Sequence, residues 1–155
     1  MSRWITRAER TLTEEVPAHP ERVRGFYVDL DNIKLVHPLV VSVRSTGRSE
    51  TADGYVQTYR VRDRIPLGPF TLPTSYRARL HVPVTGDVSS EARQFPGVRL
   101  RSTVAFEPIE GGTRVVERMT IEAPRLLARV TTREAVKAHI AMLAGIRRRF
   151  ECAPN

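Results

Sequence analysis

Glu117, Tyr59 and His37 are the residues of this chain whose types and settings could move protons. In the run TRVVERMTIEAP, Val115, Met119 and Ile121 share one parity of an alternating pattern, and the same parity turns Glu117 inward. A carboxylate held there is stripped of water and can serve as a general acid or base, or as an anchor for a polar group. A bulge near Gly111-Gly112 would instead shift the register and leave Glu117 outside, paired with an arginine; of the two arrangements the outer pairing is favoured. Tyr55, Gln57, Tyr59, Val61 and Asp63 alternate with Arg60, Arg62 and Arg64, which puts Gln57 and Tyr59 on a shared face with Asp63 at its rim. Tyrosine suits the wall of a binding site because its ring is apolar while its hydroxyl bonds a guest. It suits an ordinary core equally well, with the hydroxyl taken by backbone. His37, followed by Pro38, reads first as a turn residue and second as an imidazole open to proton transfer.

The other histidines give less. His139 precedes Ile140 at the flank of a helical apolar face, His81 falls on the arginine side of its strand, and His19 precedes a helix. None recurs at metal-ligand spacing with a second histidine or cysteine, so no metal site is expected. The G-x-S-x-G, P-loop and dinucleotide glycine signatures are missing from the sequence, which removes the commonest hydrolase, nucleotide and redox classes; no cofactor is expected.

The elements that must position these side chains follow from periodicity. Ala8, Leu12 and Val16 alternate with polar residues over Thr6 to Val16, the pattern of a half-buried strand. Pro20 opens a helix through about Val28 with Val23, Phe26, Tyr27 and Leu30 as its stripe, and Asp31 or Asn32 caps a second short helix over Ile33 to Val36. Six strands are then predicted: Leu39 to Thr46, Tyr55 to Ile65, Thr71 to Val84, Val88 to Phe95, Val98 to Ile109 and Thr113 to Ala123. Asp53-Gly54, Gly86-Asp87, Pro96-Gly97 and Gly111-Gly112 turn the chain between them, and Pro66 with Gly68-Pro69 breaks a strand, so the strands form an antiparallel meander. Leu100, Ser102, Val104 and Phe106 alternate with arginine and threonine, as Tyr76, Ala78, Leu80 and Val82 do with arginine and histidine; one sheet face is dry and the other is lined with arginine. From Leu126 to Phe150 a long helix is predicted, with Val136, Ile140, Leu143, Ile146 and Phe150 at helical spacing. The only large dry surface available to that helix is the concave side of the sheet.

With 155 residues, the chain has the size of one domain with an ordinary core, and residues 1–155 are assigned to one. No apolar run is long enough to span a bilayer and the N-terminus lacks the segment of a secretory signal, so a cytoplasmic location is expected. Cys152 is the single cysteine and forms no internal disulfide. The net charge of +8 raises the question of anionic partners, but the basic residues are nearly all arginines spread along the chain. No specific nucleic-acid binding is expected. Weak association with an anionic membrane surface is, and the state in solution is a monomer or a homodimer.

The stretch VPAHPERVRGFYVDLDNIKLVHPLVVSV, Val16 to Val43, resembles the opening of the bacterial polyketide cyclase/dehydrase and lipid-transport group of the START-like (SRPBCC) superfamily. FEPIEGGTRVVERMTIEAP, Phe106 to Pro124, is similar to the hairpin that precedes that family's long helix, and the order of elements matches over nearly the whole chain. The resemblance implies an α+β helix-grip fold: a curved seven-stranded antiparallel sheet around a long C-terminal helix, with two short helices after strand 1. It also implies a cavity between sheet and helix, with His37 near its mouth. The sheet contributes Gln57, Tyr59, Tyr76, Leu80, Ser102, Val104, Phe106 and Met119 to the expected lining. The helix contributes Val136, Ile140, Leu143 and Ala144. Binding or transport of a small hydrophobic molecule, such as a lipid, isoprenoid or polyketide-like compound, is the leading expectation. A cofactor-independent cyclase, aromatase or dehydratase with Glu117, Tyr59 or His37 as proton carriers is the alternative, and a basic interaction or toxin-like module is the third.

Overall fold

The computed structural model describes residues 4–152. β1 (Ile5–Val16) is followed by α1 (Pro20–Tyr27) and α2 (Leu30–Val36). Then come β2 (Val40–Thr51), β3 (Gly54–Leu67), β4 (Phe70–Pro83), β5 (Val88–Gln94), β6 (Val98–Ile109), β7 (Gly112–Pro124) and α3 (Ala128–Glu151). All strand pairs are antiparallel and the sheet order is β1-β7-β6-β5-β4-β3-β2, so the first strand joins the last and β1 and β2 are the edges. This is the helix-grip architecture. No helix among the described residues is long and apolar enough to cross a membrane.

The elements differ from the sequence reading mainly at their ends. β3 runs through Pro66 to Leu67, β2 continues to Thr51, and α2 begins earlier because Asp29 is its cap, accepting from the Asp31 backbone N–H at 2.9 Å. The β6–β7 ladder pairs Ile109 with Gly112 and continues without a shift to Arg99 and Glu122. No bulge interrupts it. Gly112 is part of the reason: a Cβ at this position would stand 2.2 Å from the Val16 carbonyl oxygen, so only glycine lets the end of β1 close on the hairpin in this register. Glu117 therefore points into the concave side and is fully buried, which corrects the expectation of an outer arginine pair.

The concave face is filled unevenly. α1 and α2 plug one end, where Val23, Tyr27 and Ile33 pack with Val61, Leu80, Val104, Val115 and the α3 residues Met142, Leu143 and Ile146. The other end is bounded by the β3–β4 hairpin, the β5–β6 turn and the start of α3, and it is open. Helix α3 buries Ala138, Met142, Leu143, Gly145 and Ile146. The expected stripe is buried only in part: Leu143 and Ile146 are core, whereas Ile140 is 53% exposed and with Val136 lines a groove against the edge strand β1. The reason is size. A small-residue face lets the helix sink into a curved sheet, and at Gly145 a Cβ would already lie 3.0 Å from Val36 Cβ.

Candidate functional site

Between the sheet and the N-terminal half of α3 lies a cavity of about 200 Å³, and a second space of about 90 Å³ adjoins it toward α1 and α2. His37, Tyr76, Ala92, Leu100 and His139 line both. The larger lobe is walled mainly by apolar groups, with Ala135 and Ala138 on the helix side and Leu72, Phe95 and Leu127 toward the outside. A 150 Å³ apolar cavity holds benzene, so the pair of lobes suits a guest of roughly one or two rings.

The polar groups of the site form two clusters. In the first, His139 Nδ1 lies 2.6 Å from Glu117 Oε1, with the carboxylate completely buried and the imidazole nearly so. Burial alone would lower the His139 pKa, but the Glu117 charge and hydrogen bond, with the charge of Asp63, outweigh it and raise the value. Nδ1–H donates to Glu117, which leaves Nε2 for the cavity. The His37 ring meets His139 edge-on at 5.3 Å. His37 caps α2, and its Nδ1 accepts from the Leu39 backbone N–H at 3.3 Å, so it is both the turn residue expected and a cavity wall. Burial, then the charge of His139, lowers its pKa to about 3 and holds it neutral.

The second cluster is on β3 and β4. Asp63 is buried, and burial raises its pKa to about 6 against the lowering effects of the Tyr76 hydrogen bond and the His139 charge. Tyr76 donates its hydroxyl to Asp63, and burial first, then the Asp63 charge, raises the phenol's own pKa. A buried polar string runs behind Glu117: Ser90 and Ser102 are 2.7 Å apart, Ser102 bonds Tyr27, and the Glu117 charge adds to the burial that raises the Tyr27 pKa. Among the described residues no group of three His, Cys, Asp or Glu could hold a metal ion.

Sequence reasoning placed the site one step away. Tyr76 lines both lobes and Leu80 the smaller one. Tyr59 is core, bonded by the Leu30 backbone, and Gln57 bonds Ser45; neither touches the cavity because that end of β3 lies beneath α1 and α2. Ser102 is covered by Tyr27, Phe106 packs edge-on to Tyr27 at 5.6 Å, and Val104 and Met119 are solid core. Leu143 is core too, and Ala144 is half-buried away from both lobes. The residues missed are His139, read as a flank, and Asp63, read as a rim. The available signals were the helical spacing of Ala135, Ala138, Met142 and Gly145, and the inward parity Asp63 shares with Tyr59.

A hollow sheet gripping one helix, with a mostly apolar cavity and a few convergent ionisable groups, defines a small-molecule-binding protein of the START-like class. The model of the family described as "Polyketide cyclase / dehydrase and lipid transport" matches residues 7–151, and the chain belongs to that family. No curated protein sequence matches it. Among solved structures it is similar to TTHA0849 from Thermus thermophilus, at 24% identity over 97% of this chain and 99% of that one, with a TM-score of 0.71. It is similar to the ZhuI aromatase/cyclase of a Streptomyces at 13% identity, over 95% and 94% of the two chains, with a TM-score of 0.72. A START superfamily protein from Mycobacterium smegmatis gives 13% identity over 92% and 97%, with a TM-score of 0.66. At these identities the likeness concerns the fold.

Proposed function

We propose that this chain takes a compact apolar molecule into the cavity between sheet and α3 and carries out cofactor-independent acid–base chemistry on it, of the dehydration or cyclisation kind. The observation that carries the reading is the Glu117–His139 pair opening on the same cavity as Asp63. Asp63, with a pKa of about 6, is mostly ionised at neutral pH, while the Glu117 charge and hydrogen bond favour the protonated form of His139. A base and an acid then face one guest. In a dehydration, Asp63 takes a proton from carbon and His139 gives one to the hydroxyl on the neighbouring carbon. The C–H and C–O bonds break, the C=C bond forms and water leaves. In a ring closure, the same base generates the carbon nucleophile and the same acid protonates the carbonyl oxygen as the C–C bond forms. Glu117 is a positioning residue that fixes the His139 tautomer and favours its charged form. The family's description as cyclase and dehydrase, and the size of the cavity, support a ring-forming or ring-bearing ketone as substrate.

The mostly apolar lining also supports a carrier of the same guest, without turnover. The aldol adduct of benzaldehyde and acetone separates the two, because its loss of water produces a strongly absorbing enone. Wild-type protein is expected to accelerate that loss over buffer, with the acceleration absent in His139→Gln and Asp63→Asn while binding persists. Saturable binding with no acceleration by the wild type decides for the carrier.

A further inference from the structure

The cavity holds polar atoms that proton transfer alone does not require. Asp63 is 8% exposed, yet its Oδ1 is buried with no hydrogen-bond partner. Opposite it in the β3–β4 register stands Thr74, on the same face, and its Oγ1 is buried and unpartnered too. Both residues line the larger lobe. Leaving a buried oxygen unbonded is costly, and two side by side on a cavity wall form a place that a guest's polar group would satisfy.

Charge narrows what that group is. Of the ionisable groups lining the larger lobe, His139 is neutralised by Glu117 behind it, Glu134 has Arg133 at 3.6 Å, and His37 is neutral. Asp63 has the Tyr76 hydroxyl and, apart from the charge of the Glu117-paired His139, no ion-pair partner among the described residues. A guest carboxylate at this wall would meet a like charge, whereas an O–H or N–H would give the unpartnered Oδ1 its missing bond. Thr74 Oγ1 can accept a second N–H of an ammonium head, or its O–H can donate to the oxygen of a hydroxyl head.

We propose that Asp63 and Thr74 form the head-group subsite of the cavity, and that its guest is a compact ring molecule with a hydrogen-bond-donating head, a hydroxyl or an ammonium, and not a carboxylate. This rests on the reading of the cavity as a ligand site.

Four one-ring probes that share a scaffold test it: toluene, benzyl alcohol, benzylamine and benzoate, titrated into the full chain and followed by NMR shifts of the cavity residues. Benzyl alcohol or benzylamine is expected to bind about tenfold or more tightly than toluene, as for a hydrogen bond to a charged group, with benzoate the weakest. Asp63→Asn should reduce any benzylamine advantage to within about threefold of toluene, and Thr74→Val should weaken benzyl alcohol several-fold. An advantage removed mainly by Asp63→Asn identifies an ammonium head, and one shared with Thr74→Val a hydroxyl head; both support the subsite. Toluene or benzoate binding as tightly as the two donors in the wild type overturns it while leaving the cavity reading intact, and that comparison requires no variant to fold. Silence of the cavity residues toward all four, toluene included, overturns the cavity reading and the subsite together.

Discussion

At the scale of the residue, the protein has placed ionisable groups where folding would not ask for them. Removing one member of a buried ion pair costs about 3–5 kcal/mol, because the other charge is left uncompensated, whereas an apolar pair in the same space is often neutral or better. Glu117→Gln is therefore expected to lower stability by about 3 kcal/mol in urea unfolding at neutral pH, and Glu117→Leu combined with His139→Leu to recover most of it. A single substitution with no cost would show that the two side chains do not share a charge. Asp63 and His37 impose opposite pH dependences. Burial raises the Asp63 pKa from 3.8 to about 6, so the folded state holds that proton more tightly than the unfolded chain. Its ionisation detracts from stability above about pH 6, and the penalty fades as pH falls toward 4. His37, lowered from 6.5 to about 3, is buried neutral; its contribution is intact above pH 6.5 and is lost as pH falls toward 3. Asp63→Asn should raise stability at pH 7 by on the order of 1–2 kcal/mol, read as a higher melting temperature, with the difference vanishing near pH 4 and the acid limb steeper in the variant. Tyr76 and His139, which face Asp63, lose the part of their own upward shifts that its charge supplies. A variant equal to wild type at pH 7 would mean that Asp63 carries no desolvation cost.

At the scale of the element, α3 is held by its smallest residue. Gly145 lies against Val36 at the end of α2, where an added Cβ would meet the valine Cβ at 3.0 Å and Cγ1 at 3.2 Å. An alanine here gains about 0.5–1 kcal/mol of helix propensity but overpacks the contact, which costs about 1–3 kcal/mol. Gly145→Ala should therefore be less stable, and Val36→Ala should rescue it in the double variant. Because His37 follows Val36, the single variant should also weaken guest binding. Greater stability of Gly145→Ala alone would show that α2 gives way freely. The same contact explains what was legible in the sequence. Strand identity and parity could be read because successive side chains take opposite faces, and so Leu80, Val104 and Tyr76 were placed inward correctly. The direction of Glu117 depends on a ladder without a bulge, and that depends on Gly112 touching Val16, a contact 96 positions apart in the chain that no local pattern reveals. The face of α3 misled because Val136 and Ile140 are larger than Ala135 and Ala138. Hydrophobic periodicity favours bulk, whereas a curved sheet selects the side that fits inside it. His139 was read as a flank residue because the stripe was centred on Val136 and Ile140.

At the scale of the whole molecule, the hollow is what the other features serve. Two short helices and the C-terminal half of α3 fill one end with side chains, and small residues on the N-terminal half keep the other end open. An unfilled space of this size sacrifices dispersion contacts that a packed core would make, so stability and function pull on the same residues. Ala135 stands on the helix wall of the larger lobe, half-buried and one turn before His139. Ala135→Leu would extend about three methylene-sized groups into the space, each worth about 0.8 kcal/mol when buried. The variant should melt higher than wild type while its affinity for every guest falls at least tenfold, and the pH dependence set by Asp63 should persist because the carboxyl group remains buried. Thermal unfolding and the probe titrations read the two effects separately. A more stable variant that still binds would locate the guest outside the space between sheet and helix, and a less stable one would mean the lobe is too narrow to admit even a leucine, and therefore too narrow for a ring.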